Sequence, residues 1–269
     1  MWVGQQLADG LDFWGFLGSL ILGGIILGIY TGLLGYVGAK TGLSLDLLSQ
    51  RAFGEKGSYL PSAMTSFTQI GWFGVGSFVS GGTATPNFAR FAKDGKSGAI
   101  TTVVAFFIGN SLMFFFGAVS SIFVGGNDIF EVMVRLNLFY LAVLVLGLNI
   151  WTTNDNALYT AGLGLANIFH QRKKPMVLLS GIIGTVASVW LYYNFCGWLN
   201  ILNCTLPPVG MILVLAYFMN KEDFETDQPK LKTVDWFAVA GVILGAIVAN
   251  LLHWGIALSL IHISEPTRQ

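Results

Sequence analysis

The sequence predicts an all-α polytopic membrane protein, and three observations lead to this fold class. Hydrophobic residues make up 54% of the 269 residues and charged residues only 10%, whereas soluble globular domains carry roughly 25% charged residues. Several uncharged apolar runs reach the roughly 20 residues that a helix needs to cross a bilayer. The formal net charge is zero, and the basic residues form no stripe with interleaved aromatic residues. We therefore expect a lipid bilayer as the environment and no nucleic acid as a partner.

Seven hydrophobic segments account for most of the chain, and each is predicted to be helical because backbone polar groups find no water inside a bilayer. Six are long apolar runs, and the seventh is weaker and rich in glycine. We expect about seven transmembrane or re-entrant segments within a single domain over residues 1–252. The runs cover residues 13–36, 99–123, 138–169, 176–193, 195–219 and 234–252, and the weaker segment covers residues 62–89.

The first run carries a face of small residues. Gly24, Gly28 and Gly32 recur at four-residue spacing, which puts them on one side of a helix. Glycines arranged in this way let a neighbouring membrane helix approach closely. The pattern predicts tight helix packing at this face.

Basic residues cluster between alternate runs, and this pattern predicts the orientation in the membrane. The clusters lie within residues 40–56, 90–96, 172–174 and 221–232. An excess of lysine and arginine marks cytoplasmic loops, so these four loops are predicted to be cytoplasmic. From residue 90 onward, each basic loop is two crossings from the next, as this orientation requires.

The glycine-rich segment at residues 62–89 breaks this alternation. It separates two loops that both carry the basic signature, yet its 28 residues suffice for one crossing, whereas two would need roughly 40. The segment is either a re-entrant hairpin buried in protein, or a place where natural sequence is missing. The charge pattern alone leaves both interpretations open.

Polar residues interrupt the run at residues 138–169 near its middle. Asn149, Thr152, Thr153 and Asn156 are spaced i, i+3, i+4, i+7 and therefore share one helical face. Their hydroxyl and carbonyl oxygens suit a small hard cation. Hydrogen bonding between helices is the alternative, but six polar residues within eight exceed what packing needs and favour an ion or substrate site. The six are Asn149, Thr152, Thr153, Asn154, Asp155 and Asn156.

A second group of polar and aromatic residues lies in the glycine-rich segment. Trp72 and Phe78 offer flat faces on which a planar ring can stack, and Gln69 offers a donor and an acceptor together. The glycines between them permit a broken helix and close backbone approach, as at the midplane sites of transporters. An ordinary glycine-rich helix contact is the alternative interpretation.

Motifs of enzymes and metal sites are missing from the sequence. There is no nucleophile elbow, no His-Glu-x-x-His and no pair of intramembrane carboxylates, so we expect no enzyme. Residues 35–41 resemble a phosphate-binding loop, but Ala39 stands where glycine must precede the lysine. Cys196 and Cys204 lack metal-ligand spacing and are predicted to be free thiols.

Several motifs give the chain a specific family resemblance. Over roughly residues 1–252 it resembles the cytosine permease branch of the nucleobase:cation symporter-1 family. The motifs are GLNIWTTNDNALY at residues 147–159, QIGWFGVG at 69–76, GYVGAKTG at 35–42, GNSLM at 109–113, GIIGT at 181–185 and PPVG at 207–210.

The resemblance implies part of a sodium-symporter fold with inverted five-helix repeats in a bacterial inner membrane. It implies import of cytosine coupled to sodium by alternating access, with no cofactor other than this ion. Family members sandwich the base between two aromatic rings, which here correspond to Trp72 and Phe78. The base edge would bond to Gln69, to backbone around Ser77 and to Asn154. The residues implied for sodium are Asn149, Thr152 and Thr153.

The chain departs from the family pattern in three places. It begins within what resembles the first helix. Near residues 76–77 the family's third helix continues directly into its sixth, so a deletion explains the broken charge alternation better than a hairpin does. The tail at residues 258–268 resembles a translated sequencing adapter, and residues 253–269 are treated as outside the family domain. These departures predict weak transport or none.

Two alternatives to a cytosine importer stay open. The chain could be a non-transporting membrane partner or regulator, in which the re-entrant segment is native. It could also take a purine, uracil, allantoin, hydantoin or thiamine, because the related branches differ subtly in their pocket residues.

Overall fold

A computed structural model describes residues 13–75, 83–124, 129–226, 229 and 231–251. The described residues contain helices and no strand, which confirms the predicted all-α class. A π-helical turn, Ala105–Gly109, joins the helices Gly95–Val104 and Asn110–Val124. The helices are α1 (Phe13–Thr41), α2 (Leu45–Phe53), α3 (Tyr59–Val75), α4 (Pro86–Ala89), α5 (Gly95–Val104), α6 (Asn110–Val124), α7 (Ile129–Arg135), α8 (Phe139–Phe169), α9 (Lys173–Tyr193), α10 (Phe195–Met219), α11 (Lys221–Glu225) and α12 (Trp236–Leu251).

Each of the six long apolar runs forms a helix in the structure. Among the described residues, three helical segments are long and apolar enough to cross a membrane, namely Phe13–Thr41, Gly95–Val124 and Lys173–Leu191. Two shorter apolar helical stretches are Cys204–Met219 and Trp236–Leu251. The chain is thus a multi-pass membrane protein by the length and composition of its helices.

The glycine-rich segment begins as a helix in the structure. Helix α3 has 17 residues and is about 25 Å long at 1.5 Å per residue, close to the roughly 30 Å of a bilayer's hydrocarbon core. Residues 76–82, which contain the predicted junction at 76–77, lie outside the described residues. The junction and the predicted tail at residues 253–269 stay predictions.

Helices α1 and α5 pack closely through the predicted glycine face. A Cβ placed on Gly32 would lie 2.6 Å from Val103 Cγ2, and one on Gly24 would lie 2.9 Å from Phe107 Cδ2. Carbon atoms in contact sit at about 3.5–4.0 Å, so only glycine fits at these positions without a shift. The predicted close approach is confirmed.

A second layer consists of α3, α8 and α9. A Cβ on Gly164 of α8 would overlap Ser66 Oγ of α3, and one on Gly162 would overlap Val177 of α9. Two glycines near one end of α8 therefore let it approach a different neighbour on each side, which fixes how α8 is rotated.

Helix α10 connects the two layers. Its Val209, Leu213 and Tyr217 are buried in a hydrophobic cluster with Tyr30 and Leu34 of α1. Near its start, the same helix reaches the other layer, because Trp198 packs in a cluster with Ala157 of α8. One helix thus contributes to the buried clusters of both layers.

Candidate functional site

Helices α3 and α8 run antiparallel, and their register sets which predicted site residues lie at the same level. Ser66 Oγ donates to the carbonyl oxygen of Ala161 at 3.2 Å, and Asn167 Nδ2 donates to Ser62 Oγ at 2.9 Å. Residue numbers thus rise along one helix as they fall along the other, and both helices advance 1.5 Å per residue. Continued toward the end of α3, this register puts residue 69 opposite about residue 158 and residue 72 opposite about residue 155.

The polar side chain predicted to bind the edge of a ring lies inside the protein. Gln69 is 6% exposed on α3, at the level of α8 residues 157–158. Asn154, the other predicted edge-binding side chain, is half-buried on α8, about one helical turn away. The structure therefore brings these two amides to one end of the α3–α8 contact.

Trp198 of α10 borders this region, and sequence reasoning missed it. A Cβ at Gly71 would overlap the Trp198 ring, so the indole lies against α3 between Gln69 and Trp72. Trp198 is 2% exposed and also packs with Ala157 of α8. No sequence signal set it apart, because the chain has eight tryptophans and this one stands in no polar motif.

The predicted cation face is present on α8 but largely uncovered by the described residues. Asn149, Thr152 and Asn156 are exposed, and Thr153 is half-buried. Thr152 Oγ1 donates to the backbone carbonyls of Leu148 and Asn149, both at 3.1 Å. A hydroxyl that donates its hydrogen bond to its own helix backbone still has oxygen lone pairs that can bind a cation. The face thus supplies oxygen ligands, while no second helix completes a coordination shell within the described residues.

An acidic side chain near this face has a local partner. Trp151 Nε1 donates to Asp155 Oδ2 at 2.9 Å, and both residues are exposed. Among the described residues, no group of three or more His, Cys, Asp or Glu could hold a metal ion. The use of Asn149, Thr152 and Thr153 as sodium ligands stays a prediction.

Other predicted site residues cannot be placed by their side chains. Ser77 and Phe78 lie outside the described residues, and only the backbone position of Trp72 within α3 is described. Their roles stay predictions. Of the two cysteines, Cys204 is a buried free thiol, and the side chain of Cys196 lies outside the described part.

A second polar cluster, also missed from the sequence, lies at the other end of the α3–α8 contact. Asp46 of α2 is only 6% exposed, and Ser62 Oγ donates to its Oδ1 at 2.6 Å. Burial raises the pKa of Asp46 to about 6, against the opposing effects of the Ser62 hydrogen bond and the charge of Arg90. No sequence motif predicted that Asp46 is buried. Its burial depends on the position of α2, a short helix that a search for long apolar runs does not detect.

Comparison with known sequences assigns the chain to a family. The sequence profile described as "Permease for cytosine/purines, uracil, thiamine, allantoin" matches residues 1–84 and 74–264. The chain belongs to this permease family. It is therefore a transporter-family membrane protein and not an enzyme, as the sequence predicted.

Individual permeases of the family are similar over most of the chain. The cytosine permeases of Escherichia coli K12 and O157:H7 are 36% identical to it over 345 residues, which cover 94% of this chain and 82% of each relative. The allantoin permease of Bacillus subtilis 168 is 34% identical over 82 residues, which cover 30% of this chain and 16% of the relative.

The extent of these alignments fits a permease that lacks an internal segment. Because 94% of 269 residues is about 253, some 92 of the 345 aligned positions have no counterpart in this chain. The two profile matches meet and overlap at residues 74–84, which include the predicted junction at 76–77. The second match continues to residue 264 and so includes part of the tail that the sequence analysis set apart.

Proposed function

We propose that this permease imports cytosine, or a closely related nucleobase, together with sodium across the bacterial inner membrane. The observation that carries the proposal is the α3–α8 register, which brings Gln69 and the Trp72 position to the level of Asn154. A nucleobase needs one flat surface for its ring and paired donors and acceptors for its edge. The two amides would supply the donors and acceptors, and the indole of Trp72 would supply the flat surface.

Stacking would come from Trp72 and Phe78, one on each face of the base. Gln69, Asn154 and the backbone around Ser77 would then bond to the base edge. Base stacking on an aromatic side chain contributes about 1–3 kcal/mol. Buried amides reject rings whose edge leaves them unpaired, because an unsatisfied buried polar group costs about 1–3 kcal/mol.

Sodium would bind to the cation face of α8, through the carbonyl of Asn149 and the hydroxyls of Thr152 and Thr153. Thr152 and Thr153 directly precede Asn154 on α8, and Asn149 lies about one turn before them, so ion and base would share α8 as a common wall. An ion that stabilises the position of α8 favours the substrate-ready state, which is how binding of one ligand assists the other. Alternating access would then move the layer containing α3, α8 and α9 relative to α1 and α5.

We propose further that this chain transports weakly or not at all. Three of the four cation-face residues are exposed, although polar groups facing lipid are costly. The roughly 92 aligned positions of the cytosine permeases without a counterpart here would suffice for about three further helices at some 20–30 residues each.

Uptake of radiolabelled cytosine tests this proposal in cells that lack their own cytosine permease. We expect uptake by the present chain near the empty-vector level. Insertion of the corresponding segment of about 92 residues from an E. coli cytosine permease at residues 76–82 should raise it several-fold, with dependence on external sodium. Excess unlabelled cytosine, uracil, hypoxanthine and allantoin would rank the substrates.

Two results would contradict the proposal. Strong sodium-dependent uptake by the unmodified chain would show that the missing positions are dispensable. A restored chain that reaches the membrane yet transports no nucleobase would favour the alternative of a non-transporting membrane partner.

A further inference from the structure

The Asp46 cluster, which comprises Asp46, Gln50, Ser58, Ser62 and Asn167, joins three helices at the end of the protein that carries the basic loops. Gln50 Nε2 of α2 donates to Asn167 Oδ1 of α8 at 2.6 Å. Asn167 Nδ2 donates to Ser58 Oγ at 3.1 Å and to Ser62 Oγ at 2.9 Å. Ser62 Oγ of α3 then donates to Asp46 Oδ1 at 2.6 Å. These bonds form a chain that leaves α2, passes through α8 and α3, and returns to α2.

The direction of every hydrogen bond in this chain is fixed by the groups involved. The amide of Gln50 can only donate through its nitrogen, and Asn167 accepts with its oxygen and donates with its nitrogen. The Ser62 hydroxyl accepts from Asn167 and so directs its own proton to Asp46. Asp46 is therefore the final acceptor. A proton on its second oxygen, Oδ2, would leave Oδ1 free to accept from Ser62 as before.

The short helix α4 forms hydrogen bonds with α2 and α8 at the same end of the protein. Asn87 Oδ1 accepts the backbone N–H of Leu45 at 2.8 Å, which holds the start of α2. Arg90 Nη2 donates to the hydroxyl of Tyr159 on α8. Asn87 Nδ2 and Arg90 Nε are buried and have no hydrogen-bond partner among the described residues. The surroundings of Asp46 thus include one nearby cation and no ion pair with Asp46 among the ion pairs of the described residues.

We propose that Asp46 is a proton-binding site. Its protonated form holds α2 against α3 and α8, as in the structure, and this state is called the fastened arrangement. Acidification therefore favours the fastened arrangement. A carboxylate taken into a buried cluster without an ion pair loses hydration that its hydrogen bonds replace only in part. Taking up a proton from water removes this cost while the bond from Ser62 is retained. The proposal concerns proton binding at this cluster and does not depend on the identity of the transported substrate.

The sign of the pH dependence follows from the raised pKa of Asp46. The pKa of this carboxyl is about 6 in the fastened arrangement, and an exposed aspartate has a pKa of about 3.9. The fastened arrangement therefore binds the proton more tightly and gains population as pH falls from about 6 toward 4. Between pH 8 and pH 5 the ratio of fastened to released molecules should rise about tenfold.

The other titratable groups around the cluster determine which control variants the experiment needs. On α4, Arg90 is the cation whose charge lowers the pKa of Asp46. On α2, Arg51 Nη1 points away and donates to the carbonyls of Asp223 and Thr226. At the end of α8, the exposed His170 is hydrogen-bonded to the Tyr59 hydroxyl at 2.7 Å. His170 is therefore the ionisable neighbour whose contribution must be separated from that of Asp46.

Distances between spin labels test the proposal on the full chain in lipid nanodiscs. One label would be placed at Leu47 of α2 and one at Phe169 of α8, which are 43% and 56% exposed, after serine has replaced Cys196 and Cys204. Double electron–electron resonance at pH 8 and pH 5 then measures the fraction of molecules with the short α2–α8 distance. We expect this fraction to rise at pH 5. Asp46→Asn, which keeps the acceptor for Ser62, should show the short distance at both pH values.

The control variant His170→Gln should keep the full pH response. An unchanged distance distribution in the labelled wild-type chain between pH 8 and pH 5 would overturn the proposal, whether or not the variants fold. A response that persists in Asp46→Asn, or that disappears in His170→Gln, would also overturn it. No nucleobase or sodium gradient enters this measurement, so its outcome is separate from that of the uptake experiment.

Discussion

At the scale of single residues, close contacts of glycine determine where the site helices lie. Gly71 leaves room for the Trp198 indole against α3, and this contact sets the distance between α10 and the stretch that carries Gln69 and Trp72. Because the indole also belongs to a buried cluster that includes Ala157 of α8, a side chain at position 71 would disturb more than the contact between α3 and α10.

Gly71→Ala should therefore destabilise the protein. The added Cβ would overlap a buried ring that is enclosed by α3 and α8, and overpacking of this kind costs about 1–3 kcal/mol. Thermal unfolding in detergent, followed by intrinsic tryptophan fluorescence, measures the effect. Gly147→Ala on α8 is the matched control, since a Cβ there meets nothing within 4 Å and alanine favours a helix over glycine by about 1 kcal/mol. Equal stability of the two variants would mean that the indole does not pack against Gly71.

At the scale of helices, length of apolar sequence was enough to predict the spanning helices but not their ends. The run predicted to start at residue 99 begins at Gly95, because Asp94 caps the helix by accepting the N–H of Ser97 at 2.7 Å. Helix α2 was not predicted, although Ser44 caps it in the same manner. Both features depend on short polar signals that a search for apolar runs does not register.

The polar face of α8 shows the same division between what sequence can and cannot predict. Spacing alone placed Asn149, Thr152, Thr153 and Asn156 on one side of a helix, and the continuous α8 bears this out. Which residues cover that side depends on tertiary packing, and the sequence offered no local pattern for it. The burial of Gln69 and the proximity of Trp198 are likewise consequences of how α3, α8 and α10 meet.

Gly164→Ala tests whether the α3–α8 contact sets this geometry. The added methyl group would overlap Ser66 Oγ and lie 2.9 Å from the carbonyl oxygen of Ser62, so α3 and α8 must separate or shift. We expect a loss of about 1–3 kcal/mol of stability, together with weaker cytosine binding by a chain restored with the missing segment. Gly109→Ala, where a Cβ meets nothing within 4 Å, should leave both unchanged. Normal binding and stability in Gly164→Ala would contradict the packing described here.

At the scale of the whole molecule, two layers of helices meet at α10. In the alignment with the cytosine permeases, about 92 positions of these relatives have no counterpart in this chain. The family resemblance and the polar face lead to the same expectation, that α3 and α8 hold the base and the ion. The proposed absence of these positions would explain why that face is exposed in a membrane protein.

Equilibrium binding of radiolabelled cytosine to the restored chain tests this central claim most directly. Trp72→Ala should weaken binding by roughly 5- to 150-fold, as expected for the loss of 1–3 kcal/mol of stacking. Thr152→Ala should raise the sodium concentration for half-maximal binding by roughly 10- to 150-fold, since a hydrogen-bonding group on a charged ligand contributes about 1.5–3 kcal/mol.

The matched controls lie on α9. Trp190 is exposed, and the hydroxyl of Thr185 donates to the carbonyl of Gly181 at 2.8 Å, as that of Thr152 does within α8. Trp190→Ala and Thr185→Ala should bind cytosine and respond to sodium like the restored chain without substitutions. If Trp72→Ala and Thr152→Ala also bind with unchanged affinity and sodium dependence, α3 and α8 do not form the site.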